Sequence, residues 1–319
     1  MLCYRQGQRN ALVRLIGLHQ MPITNDIISN TVMLLTTSFV VGLCIGSFLN
    51  VVAYRLPIIY QHNYTKQCRE FLSINEPPIK EGAWTDDRVF NLKTPSSHCP
   101  SCDHKIAPWE NIPVISYFLL KGKCSSCKTK IPAHYPCVEF ITGIITVLVV
   151  YSFGLGWLTL PFLILTWSLF TLALIDSRNQ FLPDEITLPV LWLGIFISSL
   201  DLNSEVNLHE SVTGAIAGYT SLWFFNFLYK LVRKKEGIGH GDFKLFSALG
   251  AWLGWQSLLP IIVLSSTVGS IYGVLAVILL RKDKFTPIPF GPFLTGAGFI
   301  FLIWGEQLNK FFMGFLGGQ

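Results

Sequence analysis

The amino-acid sequence predicts an all-α polytopic membrane protein of about eight transmembrane helices, with a small cytosolic zinc-ribbon-like insert. Three observations predict it. The 319 residues are 51% hydrophobic and only 13% charged, with a mean hydropathy of +0.47, whereas about 25% of residues are charged in an ordinary soluble domain. Much of the apolar content falls in uncharged runs, the longest of which exceed the ~20 residues that a bilayer crossing requires. The polar content is concentrated in one block, residues 55–136, which holds two Cys-x-x-Cys pairs.

Residues 1–27 form an N-terminal segment. Arg5, Arg9 and Arg14 lie beside only a short apolar patch, so the continuous apolar core and cleavage site of a signal peptide are lacking. Met21 is read as the native start, with residues 1–20 an upstream extension. Recovery of Met1 by N-terminal analysis of the native protein would overturn that reading. Residues 28–54, free of charge, are the first transmembrane helix. In it Gly46 and Ser47 suit close helix packing, and Asn50 needs a polar partner. Both a packing role and a role in a site are open for these residues.

Residues 55–136 are the insert, rich in proline and charge and loop-rich over 60–95. Residues 137–319 return to apolar runs, at about 138–153, 158–175, 186–200, 212–232, 243–255, 258–280 and 293–305. Connections containing Lys and Arg alternate with connections that contain neither. Because basic residues are retained on the cytoplasmic side, eight crossings with both termini outside follow. That topology puts the insert and the carboxylates discussed below on the cytoplasmic face. The net charge of +5 is modest and no run of five or six like charges exists, which argues against a nucleic-acid partner. Membrane lipid is the expected surrounding.

Cys99-Pro-Ser-Cys102 and Cys124-Ser-Ser-Cys127, with 21 residues between them, resemble the two knuckles of a zinc ribbon. Four thiolates make a closed tetrahedral site suited to structural Zn²⁺. In the reducing cytosol disulfides are the weaker alternative. His98 and His104 flank the first knuckle and are read as supporting or surface groups. A closed four-cysteine site leaves no position for a reactive water, and no His-Glu-x-x-His stands elsewhere, so zinc hydrolysis is not expected.

Two carboxylates stand at the edges of apolar runs, where an ionisable group is costly and points to function. Asp242 follows Gly237-Ile238-Gly239-His240-Gly241, whose glycines would permit positive φ and close backbone approach. Gly239 and Gly241 are the candidate supports of the site. Asp176 lies at the end of another run, where a helix C-terminus disfavours negative charge. If they meet, the two would share a proton and act as a general acid/base pair on a peptide bond. A helix-cap role competes for Asp242, and Asp184 with Glu185 is read as a cap and first-turn charge. A non-enzymatic zinc-bearing membrane component of a larger complex is therefore the alternative, with both aspartates as caps.

Gly239-His240-Gly241-Asp242 matches the Gly-x-Gly-Asp signature of membrane aspartyl proteases. With Phe243-Lys244-Leu245 after it, the stretch resembles the form found in the type IV prepilin peptidase/N-methyltransferase family. Asp176 with Leu182-Pro183-Asp184, Gly46-Ser47-Phe48-Leu49-Asn50 through Arg55-Leu56-Pro57, the cysteine tetrad, Pro108-Trp109-Glu110-Asn111-Ile112-Pro113 and Pro287-Ile288-Pro289-Phe290-Gly291-Pro292 are similar to further segments of that family, in the same order. The resemblance implies a bacterial inner-membrane enzyme. It would cleave type IV prepilins and pseudopilins after a glycine on the cytoplasmic side, with Asp176 and Asp242 as catalytic pair. It would then methylate the new N-terminus from S-adenosylmethionine. No residue is assigned to binding that methyl donor.

Overall fold

The computed structural model describes residues 25–72, 91–202, 206–235, 237–279 and 288–315. The Met21 reading lies outside them, as does most of the stretch 60–95. Among the described residues the only strand-like pairings are two isolated bridges in the insert, His98 with Lys105 and Lys123 with Lys130. Each of the eight apolar runs is a helix. The helices are α1 (Asn25–Leu72), a short α2 (Ile115–Leu119) in the insert, α3 (His134–Phe153), α4 (Thr159–Asn179), α5 (Asp184–Ser199), α6 (Leu208–Arg233), α7 (His240–Leu253), α8 (Leu258–Leu279) and α9 (Gly291–Phe315). Four of them, α1, α3, α4 and α8, are long and apolar enough to cross a membrane.

The first helix does not stop with its apolar run at residue 54 but continues to Leu72, through Pro57. Proline removes one helical N–H and crowds the carbonyl four residues back, a local cost. Residues 58–72 contain no glycine or further proline, and Lys66 and Glu70 face each other one turn apart at 4.0 Å. The stretch expected to be loop therefore begins as helix. On this extension the Tyr60 ring packs against Phe181, with centroids 4.8 Å apart.

Small residues let α1 and α3 touch. A methyl group added at Gly46 would stand 2.7 Å from Glu139 Cα. Nearby, Asn50 donates from Nδ2 to the Tyr135 carbonyl at 3.1 Å, which answers its need for a partner as a packing contact.

At 14 residues, α7 is only ~21 Å long, yet every residue from Leu245 to Trp252, together with Asp242 and Phe243, is buried. A helix apolar on all sides belongs inside a bundle, and α5, α6, α8 and α9 all contact it. Trp252 donates from its indole to the Val190 carbonyl at 2.8 Å and fills the space left by Gly194. Against α6 the contact is almost backbone to backbone. Ser211 donates to the Ala251 carbonyl and Ser247 to the Ala215 carbonyl, each at 2.7 Å. A methyl group at Gly214 would stand 2.8 Å from the Gly250 carbonyl carbon. Gly214→Val is expected to destabilise the protein by about 1–3 kcal/mol through overpacking, read as a lowered midpoint of thermal unfolding in detergent. Gly296→Val, at a position with nothing within 4 Å, should leave the midpoint in place. Equal midpoints for the two variants would contradict the packing described.

Candidate active site

The glycine loop hangs from α6. Asn226, buried in that helix, accepts the amides of Gly237 and Ile238 on its Oδ1 at 3.0 and 3.1 Å, and the Tyr229 ring closes on Gly237. None of Gly237, Gly239 and Gly241 has a positive φ. Of the two roles expected of them, positive φ is thus not used and close approach is. A methyl group at Gly241 would stand 2.8 Å from Leu182 Cβ, and one at Gly239 would stand 3.3 Å from Asp242 Oδ2.

Gly239, with φ −68° and ψ 144°, is the N-cap residue of α7, and its carbonyl accepts the Asp242 amide at 3.1 Å. Asp242 thus lies in the first turn, past the cap, and its carboxylate takes a backbone hydrogen bond from Gly239, the N-cap residue. It is 8% exposed, and Oδ1 is buried without a hydrogen-bond partner. Such an orphan is uncommon in a folded protein.

Asp176 sits in the last turn of α4, 6% exposed, and its Oδ2 accepts the Gly291 amide at 3.0 Å. Gly291 opens α9, and a methyl group there would stand 2.6 Å from the same oxygen. Three helix ends, from α4, α7 and α9, therefore supply the groups around the carboxylates, and Asp242 feels the charge of Asp176.

Asp184 does not cap. The N-cap of α5 is Pro183, and the Asp184 carboxylate instead takes Lys244 Nζ on both oxygens, at 2.8 and 2.7 Å. A cation in the next turn of α7 was the stronger attraction. The lysine of the Gly-Asp-Phe-Lys stretch thereby ties α7 to α5. Glu185 adds first-turn charge as expected. His240 rests its ring on Phe243, with centroids 5.4 Å apart.

Sequence reasoning missed Asn226 and the Gly291 amide. The signal for the first was available, since an asparagine between Phe225 and Phe227 in an apolar helix must find a partner. The loop geometry gives an expected result. Asn226→Leu should lower kcat for any reaction that the two carboxylates catalyse by about tenfold or more, in line with the sensitivity of rate to small misplacement of reacting groups, with KM little changed. Asn226→Asp, which keeps the acceptor oxygen, should restore much of it. Equal kcat in the leucine variant and the parent protein would remove Asn226 from this role.

In the insert the four cysteine sulfurs all lie within 4.8 Å of one another. Cys99 and Cys127 Sγ are 3.7 Å apart, and the cysteines are free. A tetrahedral ion with Zn–S bonds of about 2.3 Å needs sulfurs about 3.8 Å apart, so the donor set fits such an ion and lies too far apart for a disulfide. The two halves repeat one fold. The Cys99 amide donates to the His104 carbonyl and the Cys124 amide to the Thr129 carbonyl, both at 2.9 Å. Asp103 and Lys128, each following the second cysteine of its pair, have φ of 54° and 60°.

His104 contacts Glu110 at 3.3 Å and His98 Nδ1 lies 3.0 Å from the Ser96 carbonyl, so both histidines are flanking groups. Glu110 is held below the usual carboxylate range by the Ser125 hydroxyl first and the Ala107 amide next, which links the two knuckles. Buried charges join the insert to the helices. Arg55 donates to the carbonyls of Asn91, Leu92 and Pro95, and Glu139 accepts the Val114 amide at 2.7 Å.

Fold and site together define an integral membrane protein with two buried carboxylates at helix ends, within electrostatic reach of each other, and a four-cysteine module in its insert. The chain matches two family models, the bacterial peptidase A24 N-terminal domain over residues 40–153 and the type IV leader peptidase family over residues 163–274. It is 45% identical over 287 residues to a prepilin leader peptidase/N-methyltransferase of Stutzerimonas stutzeri, covering 90% of this chain and 96% of that protein. To a protein of the same name from Pseudomonas aeruginosa it is 44% identical over 297 residues, covering 93% and 99%. To one from Neisseria gonorrhoeae it is 47% identical over 263 residues, covering 82% and 87%. No solved structure matches. The chain belongs to the type IV leader peptidase family.

Proposed function

We propose that this chain is a bifunctional membrane enzyme. It cleaves the leader of type IV prepilins and pseudopilins after a glycine and methylates the amine so released. Asp176 and Asp242 form the catalytic pair, and the observation that carries this is the buried, unpartnered Oδ1 of Asp242 within electrostatic reach of Asp176. Two close carboxyls cannot both ionise cheaply, so they hold one proton as a unit. The ionised member takes a proton from water as its oxygen bonds to the scissile carbonyl carbon, and the protonated member donates to the carbonyl oxygen. As that intermediate collapses, the aspartate that took the proton from water returns it to the nitrogen while the other aspartate takes a hydroxyl proton back, so the C–N bond breaks and leaves a leader carboxylic acid, which then ionises, and a free amine. The Gly291 amide orients Asp176. Gly239 keeps the Asp242 carboxylate free of a neighbouring side chain, and Gly241 lets the loop pack on Leu182.

The four cysteines hold Zn²⁺ in a closed site that organises the insert and performs no hydrolysis. S-adenosylmethionine is the methyl donor in this reading, and the methyl group passes to the new amine with loss of a proton. Eight membrane crossings follow if α5, α6, α7 and α9 join the four helices long and apolar enough by themselves. The alternation of basic connections then sets the insert and both aspartates on the cytoplasmic side of the bacterial inner membrane. A prepilin meets them there, its leader in the cytosol and its apolar helix in the lipid.

The test is incubation of the purified protein with a prepilin, with and without S-adenosylmethionine, followed by mass analysis of the product N-terminus. The expected products are a cleaved chain without the donor and a cleaved, singly methylated chain with it. An uncut prepilin would overturn the reading.

A further inference from the structure

The insert carries an apolar face that its role as a polar cytosolic module leaves unexplained. Ile115, Phe118 and Leu119 occupy positions i, i+3 and i+4 of α2, hence one face of that helix, and are 55%, 72% and 74% exposed. Ile112, whose carbonyl accepts the Ser116 amide, adds to the same turn, and Trp109, 72% exposed, stands on the short 3-10 helix just before it. Exposed apolar groups of this size, clustered in an otherwise polar block, mark an interaction surface.

The position of this face says what covers it. The Val114 amide, immediately before α2, is bonded to Glu139. Glu139 is the sixth residue of α3, a 20-residue helix. That helix is ~30 Å long, the thickness of the hydrocarbon layer, so its sixth residue lies roughly 8 Å in from its end. The attachment fixes α2 at the depth of the bilayer boundary. Lys121, Lys123, Lys128 and Lys130 follow directly in the chain, all exposed. An apolar face beside a row of lysines at the edge of a membrane is the composition of an interfacial anchor on anionic lipid.

We propose that the Trp109–Leu119 segment lies in the headgroup boundary of the same leaflet that the insert faces. Its apolar face is in lipid and lysines 121 to 130 are toward anionic phosphate, so that the four-cysteine module is held down on the membrane surface. The competing occupant is the apolar helix of a prepilin.

The test uses the full-length protein with p-benzoylphenylalanine at Phe118, and separately at Ser126 on the second knuckle, reconstituted in vesicles of phosphatidylethanolamine and phosphatidylglycerol with prepilin present. The expected result on irradiation is a lipid adduct at position 118 and none at 126, with the yield at 118 reduced in vesicles of phosphatidylcholine alone. Prepilin adducts at 118 in place of lipid, lipid adducts equal at the two positions, or a yield indifferent to headgroup charge would each overturn the proposal. Prepilin cleavage in the same vesicles reports separately on the proposed enzymatic function.

Discussion

Asp176→Asn and Asp242→Asn should each reduce prepilin cleavage by about 10²–10⁴-fold, the scale of a lost acid or base in proton transfer. Asparagine keeps the volume and most of the hydrogen bonding of aspartate but cannot carry the shared proton. At position 176 its side-chain oxygen can still accept the Gly291 amide, so the fold is retained and the loss falls on chemistry. The two single variants and the double variant should be about equally inactive, because groups that act as a unit do not contribute additively. Asp184→Asn is the informative comparison. Its partner Lys244 is 31% exposed and Asp184 42%, and a pair so open to solvent contributes at most ~1 kcal/mol. Cleavage should fall no more than a few-fold. A gel-shift assay on a prepilin separates the outcomes, and full cleavage by either Asp176→Asn or Asp242→Asn would sink the dyad.

The second large effect is expected in the insert. Cys99→Ser with Cys124→Ser, or prolonged treatment with a strong chelator, should remove the bound metal and expose residues 91–131 to limited proteolysis. Structural zinc in small modules contributes ~10–16 kcal/mol of apparent binding free energy, which two isolated bridges and a few turns cannot replace. Cys102 and Cys127 are exposed, so a chelator can reach the site. Methylation is expected to vanish and cleavage to persist, since among the described residues no hydrogen bond or ion pair joins the four cysteines to Asp176, Asp242 or their helices. Metal content by mass spectrometry and the two activities, measured on one preparation, check this. Equal loss of both activities would reduce the insert to a support for the fold.

The helices and the cysteine module were legible because their signals are local. An uncharged run of twenty residues or a Cys-x-x-Cys spacing carries its physical reason within a single window. The proposed pairing of Asp176 with Asp242 was legible only as a possibility, since nothing in either window says that the last turn of α4 and the first turn of α7 come within electrostatic reach of each other. The resemblance to a family, with its motifs in order, supplied what periodicity could not.

Failures came from contacts distant in sequence. Asp184 read as a cap because the cation 60 residues on, Lys244, is invisible locally. The positive φ expected of the three glycines is not used, whereas the close approach also expected of them is, against Leu182, Tyr229 and the Asp242 carboxylate itself. The long polar tail of α1 read as loop because its apolar run had ended, although nothing after Pro57 obliges a helix to stop.

The shortness of α7 has a geometric consequence for the substrate. A helix of ~21 Å inside a layer of ~30 Å cannot reach both surfaces, so its first turn, with Asp242, can stand in a recess below the plane of the headgroups. In the proposed orientation water would enter that recess from the cytosol, and the scissile bond would have only to sink into it. A pilin subunit cut there would never leave the bilayer: the leader would depart into the cytosol while the apolar helix stayed embedded, already in place for assembly.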